Sequence, residues 1–320
     1  MMNNILIVAG DPNSINSEII FKSWKKISSN IKKKIIIIGN FNLLNAQSKK
    51  LNIKINLKKI KKFNKTGSNN YLSVINLPIK FTNCFDVSKL ESSKYVKNSL
   101  ILAHKLCIKF KSSGFINCPI DKKLIKKKGI HGVTELIAKM NKITKSTEVM
   151  MLYSKKIAVV PITTHIMIKD ISKTITKKAI VQKITTLNKY YQIIFKEKPK
   201  IAVLGLNPHN SELSKNSEEI KKIIPAILYL KKKVNIDGPF VSDSFFINDY
   251  KKYNVITGMY HDQVLIPFKN LCKFDGINIT LGLKYIRVSP DHGTAKNLIG
   301  GNKANSKSLI ECINFLDNLK

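Results

Sequence analysis

Short apolar runs recur along this chain and are separated by longer segments of mixed polarity. The runs are Ile5–Ala9, Ile35–Gly39, Leu72–Asn76, Gly114–Cys118, Val149–Tyr153, Ile157–Val160, Ile201–Leu206, Val255–Thr257 and Gly276–Thr280. Runs this brief and this rich in β-branched residues read as strands buried on both faces, which is the condition of a parallel sheet covered by helices. The intervening segments predict helices at Ser17–Ser28, Val87–Lys111, Val133–Asn141, Ile175–Phe195, Ser217–Lys232 and Ser306–Leu319. The alternation predicts an α/β fold. The Lys- and Asn-rich stretch Asn52–Asn70 reads as a surface excursion. Neither a repeat nor a clear linker interrupts the pattern. The expectation is two α/β lobes sharing one structure, the first from residues 1–120 with 288–320 and the second from 121–287.

Composition narrows the function less than its charge implies. The formal net charge is +36 over 320 residues, a value that ordinarily points to nucleic acid or an anionic membrane. Here lysines are spread along the whole chain, and Ile and Asn are over-used with them, which is the mark of AT-rich codons. A nucleic-acid stripe would interleave arginine and aromatics, and that pattern is absent. The five cysteines are scattered without a C-x-x-C pair, so neither a zinc knuckle nor a redox motif is supported. The first residues lack the features of a signal peptide, and no window reaches the length of a transmembrane helix. A cytoplasmic enzyme with no nucleic-acid and no membrane partner is expected.

Against that lysine background the chain has a single arginine, Arg287, inside the run Ile286–Ala295. Lysine substitutes for arginine where a point charge is enough. It does not reproduce the planar fork that grips a phosphate or carboxylate at two points. Arg287 is therefore expected to bind an anion, with Lys269 and Asn278 nearby in sequence as partners. Three of the six histidines, His165, His209 and His261, each follow an apolar strand. Ligands of open α/β sheets bind at that edge, and three imidazoles with an open position make a catalytic metal site. Asp291-His292-Gly293-Thr294-Ala295 carries a glycine turn that can let backbone approach a cofactor. No G-x-G-x-x-G follows the first strand, so the ordinary Rossmann fingerprint is missing.

These residues, with Gly10-Asp11-Pro12 and Glu18, Cys118-Pro119-Ile120-Asp121-Lys122, Thr163-Thr164-His165, Leu204 to His209, Gly238-Pro239 with Asp243, Tyr260 to Gln263, and Asn278 to Ala295, resemble the 4-hydroxythreonine-4-phosphate dehydrogenase family of vitamin B6 biosynthesis nearly end to end. The resemblance implies a two-lobed α/β/α fold like that of isocitrate and isopropylmalate dehydrogenases. It implies a homodimer whose active site lies at the subunit interface. His165, His209 and His261 are then ligands of one divalent cation (Zn, Mg or Co), two from one subunit and His261 from the other. Thr134, Lys269, Asn278 and Arg287 become substrate-binding residues, and Asp291, His292, Gly293, Thr294 and Ala295 the loop for NAD or NADP. Asp243 and Lys122 are candidates for the base. The implied reaction oxidises C3 of 4-phosphooxy-L-threonine to 2-amino-3-oxo-4-phosphooxybutanoate, which decarboxylates to 3-amino-2-oxopropyl phosphate.

Two departures from the family pattern bear on substrate. The family carries Gly-His-Thr-Glu, where this chain reads Gly132-Val133-Thr134-Glu135, with His131 as a displaced alternative. The family's Gly-Ile-Gly-Pro-Glu is Ser14-Ile15-Asn16-Ser17-Glu18, and loss of glycine restricts that loop. A dehydrogenase of a 4-phosphorylated sugar acid, erythronate or threonate phosphate, is the nearest alternative. A catalytically lapsed nucleic-acid-binding protein is a further one, and it predicts steep salt-dependent DNA binding.

Overall fold

The computed structural model describes residues 4–61, 63, 67–110, 114–127, 130, 132–143 and 147–319. In chain order its strands are β1 Ile5–Val8, β2 Ile35–Gly39, β3 Leu57–Ile60, β4 Leu72–Asn76, β5 Gly114–Asn117, β6 Val149–Tyr153, β7 Ala158–Pro161, β8 Ile201–Leu204, β9 Ile236–Phe240, β10 Val255–Gly258, β11 Ile277–Leu281 and β12 Ile286–Pro290. The α-helices are α1 Asn16–Lys26, α2 Ser29–Lys32, α3 Phe41–Lys50, α4 Lys89–Phe110, α5 Val133–Met140, α6 Ile171–Thr174, α7 Lys177–Phe195, α8 Ile224–Leu230, α9 Ser242–Phe245, α10 His261–Cys272 and α11 Lys307–Asp317. The chain forms two compact units, residues 1–142 with 283–320 and residues 143–282. Residues 121–142, read from sequence as the start of the second lobe, pack with the first unit.

In the first unit the strand order is β3-β4-β2-β1-β5-β12, with every pairing parallel. Every residue of β1, β2 and β5 is buried, so both faces need a cover. Helix α4 packs on β1, β2 and β5, while α11 packs on β12, β5 and β1 and meets α1. Strand β3 lies within the stretch expected to be a surface excursion. Its Lys58 and Lys59 are exposed, as suits an edge strand whose charges discourage further pairing.

In the second unit the order is β11-β6-β7-β10-β8-β9. β7, β10, β8 and β9 run parallel, and β6 pairs antiparallel with both β7 and β11. The core joins Val159, Ala202, Leu204 and Ile256 of the strands to Val264, Leu265 and Phe268 of α10. Helix α7 packs on β6, β11 and α8. Among the described residues no helix is long and apolar enough to cross a membrane.

Candidate active site

In the second unit, β7, β10 and β8 are adjacent and parallel, with Gly258 paired to Pro161 and Thr257 to Val203. Their carboxyl ends therefore share one edge, and the loops leaving it carry His165, His261 and His209. These loops are tied to one another. Thr163 donates to the Met259 carbonyl through both its backbone N–H (3.2 Å) and its hydroxyl (2.7 Å). Gln263, in the first turn of α10, accepts from the Met259 N–H at 2.6 Å and donates to the Gly205 carbonyl at 2.6 Å and the Ser242 hydroxyl at 2.7 Å.

The rings of His165 and His261 lie 5.8 Å apart, centroid to centroid. His261 Nδ1 is 2.6 Å from Asp262 Oδ1. A carboxylate at that distance draws the proton to Nδ1 and leaves the Nε2 lone pair for a cation. Nε2 of the exposed His209 is 3.8 Å from Oδ2 of Asp243. Among the described residues of one chain, no group of three or more His, Cys, Asp or Glu side chains converges as a cation requires. The donor chemistry still fits a divalent ion: each of the three side chains is an imidazole, and that of His261 has its outer nitrogen available.

His209 stands at the head of an unusual turn. His209, Asn210, Ser211, Glu212 and Leu213 all have φ between 47 and 56°, so five successive non-glycine residues are left-handed. Each such residue costs roughly 1–2 kcal/mol, and a turn like this persists only where its surroundings over-determine it. Beneath it lies Glu219, fully buried, whose carboxylate accepts from the N–H groups of Leu206 (2.8 Å) and Asn207 (2.9 Å) and from Asn207 Nδ2 (2.9 Å). Burial works against its ionisation, but those amide donors prevail and hold the carboxyl below the usual range. Gly205 leaves space for this arrangement, since a Cβ there would stand 1.8 Å from Asn210 Oδ1 and 3.2 Å from Glu219 Oε1.

Of the other residues singled out in this unit, Lys269 is exposed near the end of α10, and Asn278 is half-buried on β11. The Asn278 Oδ1 is buried with no hydrogen-bond partner, a condition that a ligand donor would relieve. Asp243 is exposed in the first turn of α9.

The first unit holds the remainder. Arg287 lies on β12, beside Phe115 of β5, and is only 4% exposed. Its Nε donates to Asn117 Oδ1 at 2.5 Å. Burial pushes the guanidinium pKa down to about 10. Thr134 is half-buried in the first turn of α5, and Lys122 is exposed at the start of a 3₁₀ turn. His131 lies outside the described residues.

The Asp291–Ala295 segment is held at both ends. The Asp291 N–H donates to Ser308 Oγ at 3.1 Å and the Ile15 N–H to the Thr294 carbonyl at 3.3 Å. A Cβ on Gly293 would meet nothing within 4 Å, so the backbone there is open to a partner. Just beyond, Lys296 Nζ reaches Asp121 Oδ2 at 2.8 Å. Asp11, Asn13, Asp121, Lys123 and Lys296 line a pocket of about 330 Å³. Burial pushes the Asp11 carboxyl up, against hydrogen bonds from the Asn13 and Asp121 N–H groups.

Residues 31–316 match the family model described as "Pyridoxal phosphate biosynthetic protein PdxA". The chain belongs to this family. A 4-hydroxythreonine-4-phosphate dehydrogenase of Aquifex aeolicus is 38% identical over 100% of this chain and 99% of its own. The solved structure of a 4-hydroxythreonine-4-phosphate dehydrogenase from Klebsiella pneumoniae superposes with a TM-score of 0.85 at 27% identity, covering 98% of each chain. A more distant relative, a D-threonate 4-phosphate dehydrogenase of Salmonella typhimurium, is 29% identical over 97% of this chain and 96% of its own.

Set within this PdxA-family fold, two residues were not singled out from sequence: Glu219 in the second unit and Asn117 in the first. Asn117 has no signal of its own, because an amide acquires its role only from what it touches. Glu219 does have one. Glu218-Glu219 is the one place where two acidic residues adjoin in a chain with 20 of them against 56 basic residues.

Proposed function

We propose that this chain catalyses the NAD- or NADP-dependent, divalent-metal-assisted oxidation of 4-phosphooxy-L-threonine to 2-amino-3-oxo-4-phosphooxybutanoate, which loses carbon dioxide to give 3-amino-2-oxopropyl phosphate. It acts as a cytoplasmic homodimer in the route to pyridoxine 5′-phosphate. The observation that carries the reading is the emergence of His165, His261 and His209 from the carboxyl ends of three neighbouring parallel strands in a member of this family.

His165, His209 and His261 would hold the cation, with His261 contributed across the dimer. A bound cation would lower the pKa of the C3 hydroxyl and later draw electron density from the ketone, and a nicotinamide would accept the hydride. The chain's own residues bind and orient. Lys269 and Arg287 supply positive charge for the phosphate and carboxylate ends. Asn278 offers its buried carbonyl oxygen to a substrate donor, and Thr134 offers a hydroxyl. Fixing both ends of a short substrate limits C3 to one approach, and that restriction is a large part of the rate. Asp243, with His209 3.8 Å away, and Lys122 are the groups proposed to take the hydroxyl proton. The loop from Asp291 through His292, Gly293 and Thr294 to Ala295 would hold the dinucleotide, with Asp121 and Lys296 beside it.

A second reading, oxidation of D-threonate 4-phosphate, is favoured by Val133, which stands where the family has histidine, and by the relative of that name. One assay separates them. Purified protein is given Zn, Mg or Co with NAD or NADP and either 4-phosphooxy-L-threonine, D-threonate 4-phosphate or erythronate 4-phosphate, and reduced nicotinamide is followed. The expected result is highest kcat/KM on 4-phosphooxy-L-threonine. Turnover confined to a sugar acid phosphate would overturn the assignment of substrate. No turnover on any of them would overturn the assignment of chemistry.

A further inference from the structure

We infer that Glu219 is a positioning residue for the metal site, its buried carboxylate holding the left-handed turn that presents His209. The inference rests on the reading of His209 as a ligand. At the two ends of the turn, Asn210 N–H donates to the Asn207 carbonyl at 3.1 Å and Ser214 N–H to the Ser211 carbonyl at 2.9 Å. Beyond them Asn210 Nδ2 donates to the Pro239 carbonyl at 3.1 Å.

What fixes the root of the turn is Glu219. Three donors from Leu206 and Asn207 converge on its two oxygens, all within 2.9 Å. A buried carboxylate met only by donors is strongly held. The backbone of Leu206 and Asn207 is thereby set immediately before Pro208 and His209. Glu218 extends the same hold. It accepts from Asn207 Nδ2 at 2.9 Å and from the Ser172 hydroxyl, and Lys222 Nζ donates to the Ser172 carbonyl at 2.7 Å. Ser172 belongs to α6, which follows the loop of His165. The π-helical turn Glu219–Ile223 and its N-cap Glu218 thus present two carboxylates to Asn207, the second of which also reaches Ser172 in the segment after His165. Turns of this kind are frequent at functional sites.

Glutamine in this place would aim an NH₂ at groups that are themselves donors. Glu219→Gln keeps the volume and removes the convergence. Groups that orient a ligand without touching the metal change affinity by about 10- to 100-fold when replaced. The test is a Co(II) titration of the apo protein, read by visible absorption of the bound ion and repeated with Zn(II) in competition. Glu219→Gln is expected to raise the Kd for Co(II) by roughly 10-fold or more, with an altered spectrum and retained circular dichroism. Asn207→Ala removes one donor of three, disturbs the buried core less, and is expected to raise the Kd by a smaller factor in the same direction. His209→Ala is the reference. If it binds Co(II) like wild type, the metal reading fails whatever Glu219 does. If His209→Ala loses Co(II) while Glu219→Gln and Asn207→Ala keep wild-type Kd values and spectra, the positioning role is refuted and Glu219 is a structural carboxylate only.

Discussion

Replacing Arg287 by methionine separates a guanidinium kept for a ligand from one kept for the fold. The side chain is 4% exposed, and burial pushes its pKa down to about 10. Each pH unit of such a fall is about 1.4 kcal/mol against the charged form, so burial of this cation costs the apo protein roughly 3 kcal/mol. Methionine removes that cost at similar length. It also leaves Asn117 Oδ1, now bonded to Arg287 Nε, without that donor, a loss of about 1–3 kcal/mol. The two oppose one another. If the arginine is kept for a ligand, Arg287→Met is expected to unfold in urea within about 2 kcal/mol of wild type. Function should not survive as well. A charge-assisted contact contributes on the order of 1.5–3 kcal/mol, so Arg287→Lys should raise the KM for the phosphorylated substrate by roughly 10- to 150-fold, and Arg287→Met by at least as much. The KM for the nicotinamide should hold. Steady-state kinetics on both substrates and urea melts of the apo protein decide it. A loss of 3–5 kcal/mol in Arg287→Met with unchanged KM values would show that the arginine serves the fold and that the argument from its rarity fails.

Three more outcomes are expected. His209→Ala should lose stoichiometric metal by elemental analysis and most turnover, while its melting temperature moves little, because the side chain is 71% exposed and such substitutions stay within about 0.5 kcal/mol. Wild-type metal content would refute the ligand assignment. Mixing His165→Ala with His261→Ala under exchange should restore part of the activity, since one site of a mixed dimer escapes both changes. No recovery despite proven exchange would assign both imidazoles to one chain, as their 5.8 Å ring separation allows. The Asp121–Lys296 contact should show in the pH dependence of stability. The hydrogen bond from Lys296 holds Asp121 below the usual carboxylate range, and the same bond holds Lys296 above its usual value. The pair therefore stabilises between the ordinary values near about 4 and 10. Its contribution fades as pH falls through the depressed carboxyl value or rises through the elevated lysine value. The gap in melting temperature between wild type and Asp121→Asn should be widest at mid pH, and a gap that does not vary with pH would show the contact to be idle.

What was legible in the sequence follows from how each element announces itself. β1, β2 and β8 are uniform apolar runs, because both faces of a parallel strand are covered. β3, β9 and β12 break that signal for different reasons. β3 carries Lys58 and Lys59 outward, and β9 contains Asp237-Gly238-Pro239, the kind of residue confined to edges. β12 has a buried arginine between Ile286 and Val288, which no hydropathy pattern expects. Helix α10 was hidden because it begins at His261 itself and carries Pro267 inside. The three histidines were singled out by their place after strands, and the structure puts them at the ends of three neighbouring strands. The left-handed turn under His209 was not singled out, since Asn210-Ser211-Glu212 has no glycine to mark it.

The lone arginine now has a fuller physical account than its fork. Among the described residues no lysine is buried, because a primary ammonium is compact, strongly hydrated and costly to bury. A guanidinium spreads its charge, is more weakly hydrated, and can keep its proton in a dry setting where an ammonium would give it up. A compositional drift toward lysine is thus free to act wherever the charge faces water, and it stalls where the charge is buried and must remain. Position 287 is such a place, 4% exposed and still cationic at neutral pH with its pKa near 10. The same reasoning applies to carboxylates in a chain of net charge +36, where the only adjacent acidic pair is Glu218-Glu219, and the second of them is buried with three donors on its oxygens. In a strongly biased sequence, the residues that resist the bias mark where chemistry has no substitute: Arg287 is buried against Asn117, and Glu219 holds the root of the turn that carries His209.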